Sequence, residues 1–339
     1  MSTGRARAWA VRLVFLAVVL GCAAWSLDGR WHEVGEAVRR VHPVPLVGAV
    51  LLTCVGLLAT SVVWRRTLGA FGYAVPPREA RSVFFTSQLG KYVPGAVWAI
   101  GVQARLAARH HVPVRVTITT ALVFTGIHLV TAGFLGGVLV AVGLAPAPGP
   151  DWLGALAAVG CALGLVPAVT RRVLRRAAGT DLVVGWREPV AVAALMALTW
   201  TAYALALLLL VEDRSPRSLA ALAGAFALGY VAGVLVVVAP AGLGAREATF
   251  VAVLSPMTGL PVATAVALLA RVVHTVADLL VAAATWRPSR PGGPAVGGAA
   301  GVDGGAEGAA GAAVGVAGAT GPEMSVGTGR VPGHDDDRL

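Results

Sequence analysis

The last apolar stretch of the chain carries three ionisable side chains whose spacing suits proton transfer or anion binding. Arg271, His274 and Asp278 are three and four residues apart, so they share one face of a helix. An ionisable group at the centre of a bilayer costs on the order of 3 kcal/mol, and such groups therefore face a partner or a cavity. Histidine titrates near neutral pH, which makes His274 and Asp278 a candidate proton relay. The alternative is a self-neutralising ladder that packs against Glu247 or Lys91.

A second set of polar residues surrounds a predicted break in an apolar segment. Gln88, Lys91 and Tyr92 precede Pro94 and Gly95, where a helix is predicted to start after an irregular stretch. Lys91 is the single lysine among 27 basic residues. Because a helix N-terminus attracts phosphate groups and an ammonium adds a point charge, this segment is predicted to bind an anionic head group. The alternative is a lysine that extends to the membrane surface and binds nothing specific.

A corresponding break lies in the second half of the chain. Pro240, Gly242 and Gly244 interrupt an apolar segment, and Arg246 and Glu247 follow in the first turn of a predicted helix. Glu247 suits the positive end of the helix dipole, whereas Arg246 opposes it, and an anionic partner would relieve that cost. The alternative is a packed loop in which both charges satisfy neighbouring groups. We predict that six residues form the head-group site: Gln88, Lys91, Tyr92, Arg246, Glu247 and Arg271.

The elements that must position these residues are apolar runs long enough to span a membrane. Of the 339 residues, 57% are hydrophobic and 13% are charged, whereas soluble domains average roughly 25% charged. Two segments, 82–102 and 239–260, are interrupted by Pro, Gly and charged residues and fit either a broken span or a re-entrant hairpin. We predict an all-α, polytopic membrane bundle with about seven to eight spans. The uninterrupted runs are 11–27, 45–63, 116–142, 152–170, 189–211, 218–238 and 262–286.

The same runs divide the chain into three parts. Residues 1–10 form an N-terminal tail, residues 11–286 a transmembrane domain, and residues 287–339 a Gly/Ala-rich tail that is expected to be disordered because it lacks periodicity. Two interrupted segments in corresponding places of two halves are typical of transporter sites built from broken helices.

Arginine placement predicts the orientation of the chain, since short cytoplasmic loops carry the basic excess. With the uninterrupted runs as spans, one side collects fifteen arginines and the other five. The N-terminus is therefore predicted to be cytoplasmic in a plasma-membrane protein. Arg287 and Arg290 favour a cytoplasmic C-terminus, which requires segment 239–260 to cross. The fifteen are Arg5, Arg7, Arg12, Arg65, Arg66, Arg78, Arg81, Arg105, Arg109, Arg115, Arg171, Arg172, Arg175, Arg176 and Arg187.

Several functional classes are disfavoured by the sequence. The net charge of +10 does not indicate nucleic-acid binding, because the basic residues form short clusters between apolar runs. The chain has no Walker loop, no Gly-x-Ser-x-Gly elbow, no His-Glu-x-x-His and no Cys-x-x-Cys. The three cysteines lie in apolar runs at spacings that match no disulfide framework or zinc site. We therefore predict a non-enzyme with neither a metal site nor a cofactor.

Two motifs resemble those of a known family. The first motif is Gln88-x-x-Lys91-Tyr92-x-Pro94-Gly95-x-x-Trp98, and the second is Pro240-x-Gly242-x-Gly244-x-Arg246-Glu247. A span with Arg271 and Asp278 follows them. Together they resemble the transmembrane region of lysylphosphatidylglycerol synthases, the flippase-like part of that family. The resemblance covers roughly residues 11–286. It implies handling or translocation of an anionic or aminoacylated phospholipid, or of a polyprenyl-phosphate lipid. The residues that it implies for the site are Lys91, Arg246, Glu247, Arg271 and Asp278.

The leading functional hypothesis is a non-enzymatic protein that binds a phosphate-bearing lipid head group within the membrane and moves it between leaflets. The synthases carry a soluble aminoacyltransferase domain after their membrane part, whereas a Gly/Ala-rich stretch follows here, so lysine transfer to lipid is not expected. A separately encoded synthase or glycosyltransferase is the candidate protein partner. Two alternatives stay open: a membrane scaffold for such a synthase, and a polyprenyl-phosphate-dependent transferase.

Overall fold

The computed structural model describes residues 42–92, 97–166, 187–236, 242 and 244–287. Within these ranges the chain is helical and contains no strand. Several predictions fall outside the described residues: the N-terminal tail 1–10, the first span 11–27, the break residues Pro94, Gly95 and Pro240, and the tail beyond residue 287.

Five helices in the described part are long and apolar enough to cross a membrane. Their positions agree with five of the predicted spans. A proline lies in the first turn of three of these helices and of one shorter helix, at a position where no backbone N–H is needed. The five are α1 (Pro43–Ala70), α4 (Val114–Ala141), α6 (Arg187–Leu208), α7 (Pro216–Leu235) and α9 (Leu260–Thr285).

Four shorter helices complete the described part: α2 (Pro77–Gln88), α3 (Val97–Ala107), α5 (Asp151–Leu165) and α8 (Ala245–Thr258). The predicted span 152–170 therefore corresponds to a helix of 15 residues, and residues 167–170 lie outside the described ranges. At 1.5 Å per residue, a helix of this length covers about 22 Å, less than the roughly 30 Å of bilayer hydrocarbon.

The first interrupted segment folds as two short helices that pack against each other. A 3₁₀ turn, Leu89–Tyr92, ends α2, and α3 begins at Val97. Gly90 lies so close to the start of α3 that an added Cβ would come within 2.8 Å of the Ala99 backbone. The two short helices α2 and α3 share an extended contact, and neither is long enough by itself to span the hydrocarbon.

Helix α9 is the most buried of the five long helices. It packs against α1, α2 and α8 and touches the 3₁₀ turn. More than half of its most apolar window is buried (56%), compared with 39–44% for the other four long helices, so α9 presents the least surface to lipid. A side chain on the inner face of α9 can therefore reach partners from both halves of the chain.

Two ion pairs place four helix ends at one end of the bundle. Arg66, near the end of α1, lies 2.8 Å from Glu188 at the start of α6. Arg287, just after α9, lies 3.4 Å from Glu79 at the start of α2. We call this end the arginine-rich face: it carries Arg65, Arg66, Arg78, Arg81, Arg187 and Arg287. The C-terminal end of α9 thus lies on the same side as the α1–α2 connection, as the arginine distribution predicts.

Glycine permits a close backbone contact between α4 and α5. A Cβ added to Gly137 would lie 2.7 Å from the carbonyl oxygen of Gly154 and 2.8 Å from the amide nitrogen of Ala158. Both obstacles are backbone atoms, which cannot rotate away. Small residues at such positions let membrane helices approach closely where burial from water provides no driving force.

We expect Gly137→Ala to destabilise the protein by about 1–3 kcal/mol, because the new methyl group must separate α4 from α5. Thermal unfolding in detergent measures this change. Gly126→Ala in the same helix is the control, since a Cβ there meets nothing within 4 Å. Equal unfolding temperatures for the two variants would contradict the α4–α5 contact.

We expect the arginine-rich face to be cytoplasmic. A cysteine placed at Arg78, which is exposed at that face, should react with a membrane-impermeant maleimide only after cells are opened. A cysteine at the exposed Glu212, beyond the opposite end of α6, should react in intact cells. The reverse pattern, measured in a background without Cys22, Cys54 and Cys161, would invert the proposed orientation.

Candidate functional site in the bundle interior

The inner face of α9 carries the three ionisable residues that the sequence places together. Arg271, His274 and Asp278 are 7%, 9% and 3% exposed, so all three are removed from lipid and water. The helix is about 39 Å long, with Asp278 about 10 Å and Arg271 about 21 Å from its C-terminal end. The three groups therefore lie at successive depths along the bundle axis.

Asp278 is held by the 3₁₀ turn that ends α2. The Lys91 Nζ atom lies 2.6 Å from Oδ2 of Asp278, and the Tyr92 hydroxyl donates a hydrogen bond of 2.7 Å to the same oxygen. Lys91 also lies 5.4 Å from the centre of the Tyr92 ring. Asp278 is almost fully buried while the Lys91 side chain is 35% exposed, so Lys91 closes the outer side of this pair.

Arg271 is held by the first turn of α8. Its Nη1 donates to Oε1 of Glu247 at 2.5 Å, and both side chains are at least nine-tenths buried. The other oxygen of Glu247 accepts the backbone N–H of Gly244 at 2.6 Å, which caps the start of α8. The carboxylate thus satisfies a helix terminus and a guanidinium at once, while Nη2 of Arg271 has no hydrogen-bond partner in the described part.

Arg246 lies one position before Glu247 but faces a different neighbour. Its guanidinium carbon lies 4.4 Å from the centre of the Phe226 ring and 5.9 Å from that of Phe250, which are cation–π distances. Among the described residues no carboxylate lies within ion-pair distance of Arg246, and its buried Nη2 atom has no hydrogen-bond partner. Arg246 is therefore a cation stacked on aromatic rings, and no described residue places a counter-charge in contact with it.

His274 lies between the two ion pairs. Its Nδ1 lies 3.0 Å from the carbonyl oxygen of Ala270, and its buried Nε2 has no partner in the described part. The ring packs 4.8 Å from Phe226 and 4.9 Å from Tyr203. No hydrogen bond among these groups joins His274 to Asp278, so a proton relay between them stays a prediction.

The remaining predicted site residues have less defined roles. Gln88 is the last residue of α2 and is half-buried, and its side chain makes no hydrogen bond to a described residue. Gly242 and Gly244 have positive φ angles of 70° and 83°, which glycine adopts without steric cost. A Cβ on Gly242 would lie 2.7 Å from the Gly233 Cα, so the start of α8 contacts the end of α7 backbone to backbone.

We call the assembled group the polar cluster: Lys91, Tyr92, Arg246, Glu247, Arg271, His274 and Asp278. It contains three cations and two carboxylates, so its formal charge is one positive unit when His274 is neutral. The described residues contain no group of His, Cys, Asp or Glu side chains that could hold a metal ion. The chemistry that the cluster supports is charge compensation and anion binding.

Sequence reasoning missed the aromatic wall of the cluster. Phe226 lies between Arg246 and His274, and Tyr203 packs 5.0 Å from Phe226. A signal was present: aromatic residues are only 6% of the chain, yet Trp200 and Tyr203 in α6, and Phe226 and Tyr230 in α7, follow helical spacing.

The matched region of the chain settles its family. Residues 9–282 match the family described as the lysylphosphatidylglycerol synthase TM region. The chain belongs to the lysylphosphatidylglycerol synthase transmembrane region family. No curated protein sequence matches the chain significantly. As a member of this family it is a multi-pass helical membrane protein, and the whole polar cluster lies within the matched residues.

We expect Arg271→Met to lower the free energy of unfolding by about 3–5 kcal/mol, because it leaves the Glu247 carboxylate buried beside an apolar side chain. Adding Glu247→Gln should recover much of this loss, since the amide oxygen can still cap Gly244 without a charge. A double-mutant cycle on thermal unfolding in detergent measures the coupling. Additive effects of the two substitutions would show that the pair does not interact.

Proposed function

We propose that this protein binds the phosphate-bearing head group of an anionic lipid at Arg246 and moves that lipid between the leaflets of the membrane. The observation that supports this proposal most is the guanidinium of Arg246: it stacks on Phe226, and among the described residues it has no carboxylate in contact and its buried Nη2 has no acceptor. Phosphate oxygens form strong, often bidentate hydrogen bonds with guanidinium groups, and the low dielectric of the site strengthens that attraction.

The neighbouring ion pairs support Arg246 as the centre of the site. Lys91 and Arg271 each already contact a carboxylate, so their charges are compensated, whereas Arg246 has no such partner in the described part. An incoming phosphate would therefore meet its first unpaired cation at Arg246. Lys91 and Arg271 would contribute by exchanging part of their contact with Asp278 and Glu247 for the phosphate.

The helix breaks support movement. The Arg246 Nη2 atom is buried, so a guest reaches it only after neighbouring groups move. Arg246 and Glu247 lie in the first turn of α8, next to two glycines with positive φ angles, and Lys91 lies in a 3₁₀ turn after α2. Short, interrupted helices of this kind line substrate sites in transporters and can move without unfolding a full span.

The proposal is non-enzymatic. The family is defined by the transmembrane region of the synthases, and the polar cluster contains no nucleophile beside a base of the kind that acyl or glycosyl transfer requires. The lipid is drawn from two classes, phospholipids with an anionic head group and polyprenyl-phosphate lipids.

We expect Arg246→Gln to slow lipid translocation by roughly tenfold to a hundredfold, because a charge-assisted hydrogen bond contributes about 1.5–3 kcal/mol. The assay follows fluorescently labelled phosphatidylglycerol and polyprenyl phosphate in proteoliposomes made with purified protein. Arg214→Gln, in the exposed α6–α7 connection, is the matched control and should retain the wild-type rate.

The unfolding temperature of each variant separates lost function from lost folding. Translocation by wild type that exceeds protein-free vesicles, together with an unchanged rate in a folded Arg246→Gln variant, would remove Arg246 from the proposal. Wild-type protein that moves neither lipid would reject the proposed function itself.

A further inference from the structure

The arginine-rich face contains a small cavity between the C-terminal third of α1 and the first turns of α2. Its volume is about 40 Å³. A group of water size needs roughly 10–15 Å³, so the cavity holds about three such groups, which is enough for the free oxygens of one phosphate. None of the polar-cluster residues borders it. The lining residues are Ser61, Val62, Arg65, Pro77, Ala80 and Arg81.

Two arginine side chains from different helices border this cavity. Arg65 of α1 is half-buried and Arg81 of α2 is exposed. Among the described residues neither has a carboxylate within ion-pair distance, whereas Arg66 and Arg287 on the same face each pair with one. Two like charges beside one space repel each other, and an anion placed between them replaces that repulsion with attraction.

The start of α2 adds positive potential to the cavity. Pro77, the first residue of α2, lines it, and no side chain caps this helix end. The carboxylate in the first turn, Glu79, already contacts Arg287. The partial positive charge of a helix N-terminus attracts anions. The hydroxyl of Ser61 donates to the Leu58 carbonyl oxygen at 2.7 Å, so the side-chain donors available to a guest come from the two arginines.

The cavity lies at the depth of lipid phosphate groups. The apolar run 45–63 of α1 covers about 28 Å as a helix, close to the roughly 30 Å of bilayer hydrocarbon. Arg65 follows two residues after this run, so it lies where hydrocarbon gives way to head groups. A water-soluble anion and a lipid phosphate both reach this depth, but acyl chains anchor the lipid there and raise its effective concentration. A lipid phosphate is therefore the better match.

We propose that this cavity binds the phosphate of an anionic phospholipid from the leaflet at the arginine-rich face, between Arg65 and Arg81. The protein retains this lipid and does not translocate it, so the site is separate from the proposed function. The bound lipid links α1 to α2, and α2 leads directly into the 3₁₀ turn that carries Lys91. The lipid composition of that leaflet therefore determines how firmly α2 is held against α1.

The test measures thermal unfolding of the purified protein in a neutral detergent while lipid is added. Phosphatidylglycerol should raise the unfolding temperature, and phosphatidylcholine should do so much less, because the arginines repel its choline cation. Arg65→Gln and Arg81→Gln should each raise the apparent Kd for phosphatidylglycerol roughly fivefold, since a basic residue near an anionic lipid contributes about that factor. Inorganic phosphate at the same concentration should have no effect, because it lacks acyl chains that hold it at the cavity.

Arg78→Gln is the matched control. Arg78 is an exposed arginine of α2 on the same face, but it does not line the cavity. This variant removes the same charge and should keep the wild-type Kd. Each titration is repeated with Arg246→Gln added, which removes the head-group site of the proposed function. The dependence on Arg65 and Arg81 should persist in that background.

The outcomes separate the two proposals. A phosphatidylglycerol effect that disappears with Arg246→Gln alone and survives Arg65→Gln and Arg81→Gln would overturn the second site and leave the proposed function standing. Equal losses of affinity in Arg78→Gln and Arg81→Gln would reduce the effect to overall charge and also overturn the inference. An equal shift with inorganic phosphate would overturn the assignment to a lipid. Should Arg65→Gln fail to fold, the comparison of Arg81→Gln with Arg78→Gln decides it.

Discussion

The arrangement of this bundle depends on the cost of charge at bilayer depth. A buried ion without a partner costs several kcal/mol, and Asp278 and Glu247 are each compensated by a cation from another part of the chain. Both pairs use α9, and the partners come from the two interrupted segments. The need for charge compensation therefore brings Lys91 and Glu247, which are far apart in sequence, to one buried face of one helix.

Much of the fold was predictable, because the signals that define membrane helices are local. Apolar runs marked the five long helices, and Pro and Gly marked both interruptions. The i, i+3, i+7 spacing placed Arg271, His274 and Asp278 on one face. Glu247 was expected to suit the positive end of a helix dipole, and the structure adds its hydrogen bond to the Gly244 N–H. The extent of α5, which ends at Leu165 and falls short of a span, was missed because its hydropathy continues beyond its end.

The pairing within the site was not predictable to the same degree. Hydropathy could not decide between a broken span and a hairpin for segment 82–102, since that depends on α2 and α3 contacting each other. The sequence suggested three similar cations, whereas the structure distinguishes Arg246 from Lys91 and Arg271 by their partners. That distinction arises from tertiary contacts of α8 with α7 and α9, which spacing along one helix does not encode.

Helix α9 has no glycine, and its single proline lies in its first turn, so its interior has none of the residues that most often bend a helix. Arg271 and Asp278 are consequently held at a fixed axial offset of about 10 Å. The 3₁₀ turn after α2, through Lys91, and the first turn of α8, through Glu247, both pair with this one helix. Neither can slide along α9 without breaking its own ion pair. A displacement of α9 by itself strains both pairs at once, which couples the two halves of the chain mechanically.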